Sequence, residues 1–193
     1  MFHKGLTKEI LIETSKEIID ESGSAAFSMR ALAEKLGVKT ASLYTHIESM
    51  EALFTEVGLS VLNDQKDAQL TAIQGKTGDA AVFALAESYR IFARKHTALY
   101  QLIMQMPMGQ DETLKAAADM TAEPSMLVLQ DYPILEERRM HWQRVLRGVM
   151  HGFVSQEAAG HFSHYPVDLN ESYHLAIQCV VDGLHREVGS DGE

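Results

Sequence analysis

The sequence predicts an all-α protein, and three observations support this fold class. Apolar residues recur every three or four positions over most of the chain, which is the period of an amphipathic helix. Proline is scarce, with 4 residues in 193, whereas alanine, leucine, glutamate and methionine are plentiful. The segments SMRALAEKLG (28–37) and GVKTASLYTHI (37–47) have the lengths of a helix-turn-helix. We expect three short N-terminal helices, joined by a long helix to a larger helical domain.

Helix boundaries follow from capping residues, glycines and prolines. A leading helix from Leu6 to Ser22 ends at Gly23, and Ser49 can cap a long helix to about Ile73. Five more helices are predicted for 79–96, 97–106, 111–130, 135–159 and 169–188, with Pro124 bending or restarting the third of these. The expected division is a helix-turn-helix domain over 1–48 and a second domain over 49–193.

The helix-turn-helix can be derived residue by residue. Ser28 can cap the first helix, and Gly37 can leave it with a positive φ. Thr40 is the expected cap of a second helix from Ala41 to Ile47. Val38, Leu43 and Ile47 can then point inward. The residues left outside, together with those at the start of the first helix, are the candidate DNA-binding residues: Ser28, Arg30, Lys39, Thr40, Ser42, Tyr44, Thr45 and His46.

This exposed face of hydroxyls, a phenol and an imidazole suits phosphates and base edges, so double-stranded DNA is the expected partner. Alternatively, many small helical pairs bind nothing, and Tyr44 could be a packing residue. Charge gives limited support, because the chain carries a formal charge of −10 and residues 1–48 hold slightly more acidic than basic side chains. Modest affinity per subunit favours a dimer.

Residues 6–54 resemble the N-terminal domain of TetR-type transcriptional repressors. The matching segments are FSMRALAEKLGV, ASLYTHI and SMEALF. The resemblance implies that Tyr44 and His46 contact DNA backbone or bases and that Lys39 and Thr40 lie against phosphate. Two residues depart from the family pattern: Met50 stands where a phosphate-contacting lysine is usual, and Ile47 replaces a usual phenylalanine.

The last two long helices are predicted to form a homodimer interface. Small residues that permit close helix approach fall on one stripe of the first, and the final helix adds a similar set. The candidate interface residues are Val145, Gly148, Gly152, Ser155, Ala159, Ala176, Val180 and Gly183. These residues could also be buried within one subunit. The segments RVLRGVMHGFVSQEAAGHF and YHLAIQCVVDGL resemble the C-terminal ligand-binding and dimerising domain of one TetR subgroup.

A small-molecule effector is the second expected partner. Aromatic and sulfur-bearing residues fall in the stretches expected to enclose a pocket and favour an apolar or aromatic ligand, although ordinary core packing would place the same residue types there. The candidate ligand-binding residues are Phe83, Tyr89, Tyr100, Met104, Met106, Met108, Trp142 and His151. Binding would change the spacing of two DNA-binding domains and release a near-palindromic operator.

Composition excludes several other classes. No apolar run approaches the roughly 20 residues that span a bilayer, no secretory signal is evident, and the expected compartment is the cytoplasm. The single cysteine, Cys179, is expected in the core, with a redox-sensing thiol as the alternative.

No cofactor and no metal site are expected, because His161, His164 and His174 lie in or near a loop with only Glu157 and Asp168 as nearby carboxylates and no cysteine pair. No catalytic motif is present, so an enzyme is not expected. The main alternative function is a small-molecule-binding or scaffolding dimer that no longer recognises DNA.

Overall fold

The computed structural model describes residues 5–106 and 112–190, without the side chains of residues 118, 189 and 190. All regular elements within these ranges are helical, which confirms the all-α prediction. The α-helices are α1 (Lys8–Ser22), α2 (Met29–Leu36), α3 (Thr40–Leu43), α4 (Met50–Ile73), α5 (Gly78–Lys95), α6 (Thr97–Met104), α7 (Glu112–Leu129), α8 (Glu136–Ala158) and α9 (Leu169–Ser190), with a 3₁₀ turn at Ser24–Ala26. None of the helices within these ranges is long and apolar enough to cross a membrane.

The described chain forms two compact units. Unit 1 contains the described residues up to Asp64 and those between His96 and Ala117, and unit 2 contains residues 65–95 and the described residues from Ala118 onward. Helix α4 contributes its first part, up to Asp64, to unit 1 and the remainder to unit 2. The predicted division into 1–48 and 49–193 was drawn from sequence pattern, whereas these units are defined by packing, and the domain boundary stays a prediction.

Unit 1 is built around α1, the helical pair α2–α3, the first part of α4, and α6. Leucines from four of these helices are fully excluded from solvent and form its core: Leu11, Leu32, Leu43 and Leu53. Phe27 packs edge-on against Phe54, with ring centroids 5.2 Å apart. Helix α1 contacts both α2 and α6, so it is the central scaffold of this unit.

Unit 2 is organised by α5, α8 and α9, which contact one another pairwise. Its core is apolar, with Val82, Leu85, Leu146 and Leu184 at 0 % exposure. A buried ion pair between α5 and α8, and a hydrogen bond from the same guanidinium to α9, join all three helices. Arg90 of α5 is 2 % exposed and donates from Nε and Nη2 to both carboxylate oxygens of Glu157, at 2.8 and 3.0 Å. Its Nη1 donates to Asn170 at 3.0 Å.

One expectation about a single residue is wrong, and one of the two alternatives for another is excluded. Cys179 is exposed on α9 instead of buried, because Val180, Val181 and Leu184 occupy the inward face of that helix. Pro124 does not restart a helix, since α7 is continuous through it from Glu112 to Leu129.

Candidate DNA-binding site

The first helix of the helix-turn-helix has the predicted caps at both ends. The Ser28 hydroxyl accepts from the backbone N–H of Ala31 at 3.1 Å. Gly37 adopts φ 68° and ψ 30°, a left-handed conformation that favours glycine. The N–H of Gly37 bonds to the carbonyl of Glu34, and the N–H of Val38 bonds to that of Ala33, which is the Schellman pattern. The turn that sets the direction of α3 is therefore fixed by the local sequence.

The second helix differs from the prediction. It begins at Thr40 and ends at Leu43, so the expected helix from Ala41 to Ile47 is too long. Lys39 is the N-cap residue, and Thr40 lies within the helix and does not cap it. After Leu43 the chain continues as turns, in which the N–H of His46 bonds to the carbonyl of Leu43 at 2.9 Å. This tighter three-residue bonding ends the α-helix one turn early.

Two buried side chains anchor this segment while its polar residues stay accessible. Leu43 is fully buried and Ile47 is 7 % exposed, so isoleucine fills the core position where a phenylalanine is usual. Tyr44 is 51 % exposed although it directly follows the buried Leu43. Its phenol is therefore accessible to a partner and is not part of the core.

The other predicted DNA-binding residues fall into two groups. Arg30, Lys39 and Thr45 are exposed, whereas Ser28, Thr40, Ser42 and His46 are half-buried. The Thr45 hydroxyl donates to the carbonyl of Ser42 at 2.7 Å, which fixes its orientation and leaves its lone pairs to accept. The Ser28 hydroxyl is already engaged as a cap. The segment from Lys39 to His46 therefore provides most of the accessible polar groups.

Ion pairs neutralise most of the basic side chains of unit 1. Arg30 pairs with Glu34 at 2.8 Å, and Lys35 lies between Glu17 and Glu21 at 3.2 and 3.3 Å. The hydrogen bond that Arg30 donates to the Glu34 carboxylate is the main cause that raises the pKa of the guanidinium. Within the part of the chain that the structure describes, Lys39 makes no ion pair. Lys39 is therefore the cation most available to a phosphate, because exposed pairs such as Arg30–Glu34 are weak and must first separate.

The start of α4 lies beside this surface in sequence. Ser49 caps the helix as predicted, since its hydroxyl accepts from the N–H of Ala52 at 3.0 Å. Met50 is then the first helical residue and is half-buried. A lysine at this position would add a positive charge at the end of a helix next to the DNA-binding segment.

Long-range ion pairs that the sequence did not predict hold α1 in place within unit 1. Lys8 pairs with Glu56, and Lys16 pairs with Asp64 at 2.6 Å, which joins α1 to α4. His96, the residue before α6, contacts Asp20 of α1 through Nδ1 at 2.6 Å. These partners lie tens of residues apart, and no local sequence pattern would have paired them.

The predicted ligand-binding residues are divided between the two units. Tyr100 is buried in unit 1, where Met104 is exposed and Met106 lies against Gly58; Met108 is outside the described residues. In unit 2, Phe83 stacks on His174 at 4.5 Å and lines a cavity of about 600 Å³. Tyr89 is a core residue there at 4 % exposure. The described members of the predicted set therefore belong to two different units.

Two further members of this set have defined surroundings in unit 2. The Trp142 ring packs so closely on Gly183 that a Cβ at that position would lie 2.4 Å from it. His151 is half-buried on α8, and its own burial lowers its imidazole pKa, with a smaller contribution from Arg147. A neutral imidazole can both donate and accept, so His151 can bind a polar group of a ligand.

The predicted dimer-interface residues also divide. Val145 is 46 % exposed, Gly148, Gly152 and Ala159 are exposed, and Ser155 is half-buried, so this stripe of α8 is accessible. On α9, Ala176 is half-buried, whereas Val180 is 3 % exposed and Gly183 faces Trp142. Val180 and Gly183 therefore pack inside the subunit. Both residues lie on the inward, close-packed face of α9.

The histidines considered as metal ligands do not assemble. Within residues 5–106 and 112–190, no group of three or more histidine, cysteine, aspartate or glutamate side chains is placed to hold a metal ion. His174 is instead engaged in the stack with Phe83.

The class of protein follows from the fold and from this surface. An all-helical chain with a Schellman turn, a short anchored second helix and exposed polar residues on it is a helix-turn-helix DNA-binding protein.

Two family models match the chain and place it more narrowly. Residues 11–57 match the model described as bacterial regulatory proteins, tetR family, and residues 82–180 match the tetracyclin repressor-like C-terminal domain. The chain belongs to the TetR family of transcriptional regulators, which generally have no enzymatic activity.

Relatives agree with this assignment. The uncharacterized HTH-type transcriptional regulator Rv0681 of Mycobacterium tuberculosis is 31% identical over 156 residues, covering 80% of this chain and 72% of that protein. A protein of unknown function from Rhodococcus sp. RHA1 superposes with a TM-score of 0.79 at 20% identity, covering 94% of this chain and 96% of that one. A TetR variant from Acinetobacter baumannii in complex with minocycline superposes with a TM-score of 0.70 at 19% identity, covering 94% and 98%.

Proposed function

We propose that this regulator is a homodimeric repressor that binds a near-palindromic operator and is released by a small apolar or aromatic effector. The observation that carries the proposal is the exposed segment from Lys39 to His46, held in place by the buried Leu43 and Ile47. A segment with this anchoring presents a phenol, hydroxyls, an imidazole and a lysine that makes no ion pair with any described residue to a groove.

Dimerisation is supported by the accessible stripe of α8. A Cβ built at Gly148 or Gly152 meets no atom within 4 Å, so another helix can approach the backbone closely there. Val145 supplies apolar surface beside these glycines. A two-fold dimer would present two α3 segments to half-sites about 34–36 Å apart, or a multiple of a helical turn.

Release by an effector is supported by the ligand-bound relative and by the aromatic character of unit 2. The Acinetobacter protein binds minocycline, a molecule with fused rings. In this chain the cavity beside Phe83 is lined mainly by apolar and aromatic side chains. An effector that binds one spacing of the two DNA-binding domains better than another would shift the dimer away from DNA.

Footprinting and gel-shift titration of the DNA upstream of the chain's own coding region test this proposal. We expect a protected, near-palindromic site and an affinity that falls steeply with salt. Absence of protection at low salt would favour the alternative, a helical small-molecule-binding dimer without DNA recognition.

Met50→Lys is expected to strengthen DNA binding. The added lysine restores one phosphate contact per subunit, so the slope of log affinity against log salt should steepen by about 2 for a dimer. Gln74→Lys is the control, because it adds the same charge at the opposite end of α4. Equal steepening in both variants would show that Met50 does not lie against phosphate.

A further inference from the structure

Helices α5 and α9 of unit 2 lie side by side and leave a groove that opens to solvent. Phe83 of α5 stacks on His174 of α9, with ring centroids 4.5 Å apart and the rings 13° from parallel. The Tyr173 hydroxyl donates to the carbonyl of Ala86 at 2.7 Å and ties the two helices together at the neighbouring level. These four residues line the cavity of about 600 Å³, together with the buried Ile177. We call this surface, with its aromatic pair and buried floor, the α5–α9 groove.

Two exposed carboxylates border the α5–α9 groove and remain available to a cation. Glu87 of α5 and Glu171 of α9 both line the cavity, and neither makes an ion pair with any described residue. The two arginines of α5 are engaged elsewhere, because Arg90 and Arg94 both pair with Glu157, at 2.8 and 3.8 Å. A cationic group from another molecule can therefore gain two charge-assisted contacts here.

Exposed apolar side chains extend this surface beyond the cavity. Leu175 of α9 lines the groove and is 63 % exposed, and Ile91 of α5 is 54 % exposed. Ile91 lies one helical turn after Glu87, so both belong to the same face of α5. A small molecule held in the cavity would leave Ile91 uncovered, since that residue is not part of the cavity lining. Exposed apolar surface bordered by polar groups is typical of protein–protein contacts, so a peptide segment fits this surface better than a small ligand.

The α5–α9 groove is separate from the stripe of α8 that is proposed for dimerisation. Gly183 packs on Trp142 of α8, and His174 lies nine residues before it, which places the two about 180° apart around α9. A second copy of this chain is also unsuited to the groove. A two-fold contact would set the carboxylates of Glu87 and Glu171 against themselves, and like charges across an interface are costly.

The overall charge of the chain favours a basic partner. With a formal charge of −10, the protein attracts positively charged segments and repels acidic ones over distances of about 10 Å. Arginine is better suited than lysine to two neighbouring carboxylates, because its planar guanidinium donates in several directions at once.

We propose that the α5–α9 groove docks a basic segment of another protein, in which an arginine or lysine stands beside a leucine or an aromatic residue. The cation pairs with Glu87 and Glu171, and the neighbouring side chain covers Leu175 and Ile91. This interaction goes beyond the proposed function, and it requires neither operator binding nor effector release. An effector held in the cavity beside Phe83 would compete with the segment.

Peptide selection tests the proposal. Random peptides of about 12 residues, displayed on phage, are selected against the full native chain. The most enriched peptide is then synthesised with a fluorescent label and titrated by anisotropy. We expect its sequence to carry an arginine or lysine beside a leucine or an aromatic residue. Glu87→Gln with Glu171→Gln should weaken its binding at least about tenfold, because two charge-assisted contacts are lost.

Glu136→Gln with Glu137→Gln is the matched control. These two exposed carboxylates also lie in the first turn of a helix of unit 2, so the control removes the same charge from another surface. It should leave the affinity for the peptide unchanged. Failure of the selection, enrichment of peptides without basic residues, or equal affinities of the two double variants would overturn the proposal.

Two further measurements test other occupants of the α5–α9 groove. If N-acetylarginine amide binds as tightly as the peptide, the groove takes a small cation and the docking proposal is wrong. If saturating peptide dissociates the native oligomer in a sedimentation experiment, the groove is a contact between copies of this chain, and the proposal is likewise wrong. We expect weaker binding of the amide and an unchanged oligomeric state.

Operator footprinting with the same protein separates this inference from the proposed function. Operator protection without peptide binding would refute only the docking groove. Peptide binding by a protein that protects no DNA would refute only the repressor function.

Discussion

Replacing Tyr44 and His46 together with alanine is expected to abolish operator binding. Each side chain lies on the exposed segment after Leu43, and a good base or phosphate contact is worth about 1–3 kcal/mol. Two lost contacts in each of two subunits lower the affinity by a factor of at least about 10³. Gel-shift titration against the footprinted site measures this loss.

Folding and association should survive this double substitution. Both side chains are partly or largely outside the core, and the anchors Leu43 and Ile47 are untouched. Tyr165→Ala with His164→Ala is the matched control, because it removes the same two groups from an exposed loop of unit 2. Sedimentation confirms that each variant keeps the oligomeric state of the native protein. Retained protection in the Tyr44 and His46 variant would refute the assignment of the DNA-binding surface.

Glu157→Leu is expected to cause the largest loss of stability. Arg90 is 2 % exposed, and the substitution leaves its buried guanidinium without a carboxylate. Removing one partner of a buried ion pair costs about 3–5 kcal/mol, which lowers the melting temperature of a chain of this size by about 10 °C. Thermal unfolding followed by circular dichroism measures the effect.

Replacing the other member of the pair, Arg90, should lower the stability less. In Arg90→Met, Glu157 keeps Arg94 at 3.8 Å and some contact with solvent. The double variant should recover much of the loss, because two apolar side chains replace a pair whose desolvation was costly. Tyr173 still anchors α9 to α5 by donating to the carbonyl of Ala86 at 2.7 Å. This account would be contradicted if the two single variants lost equal stability and the loss in the double variant were the sum of the two.

The helix-turn-helix was largely predictable because its determinants are local. Ser28, Gly37 and Ser49 act through backbone groups no more than a few residues away, so their caps can be read from the sequence. The predicted length of α3, however, was wrong. Tyr44 and His46 continue the helical pattern, yet the chain tightens after Leu43, and residue spacing does not distinguish these two outcomes.

The ligand-binding and interface residues were less predictable. A helical stripe shows which residues share one face of a helix, but it does not show whether that face is buried within the subunit or exposed. Val180 and Val145 both belong to such stripes, yet one is 3 % exposed and the other 46 %. Cys179 directly precedes Val180, about 100° away around the same helix, and is exposed to solvent.

The helical class, the capped turn at Gly37 and the family can be predicted from the amino-acid order, since each depends on short-range periodicity or on a contiguous motif. Helix packing, in contrast, brings Arg90 to Glu157 and Trp142 onto Gly183, and it seals the Gln65 amide nitrogen without a hydrogen bond to any described residue. These contacts join residues from separate helices, and their geometry depends on how the helices pack.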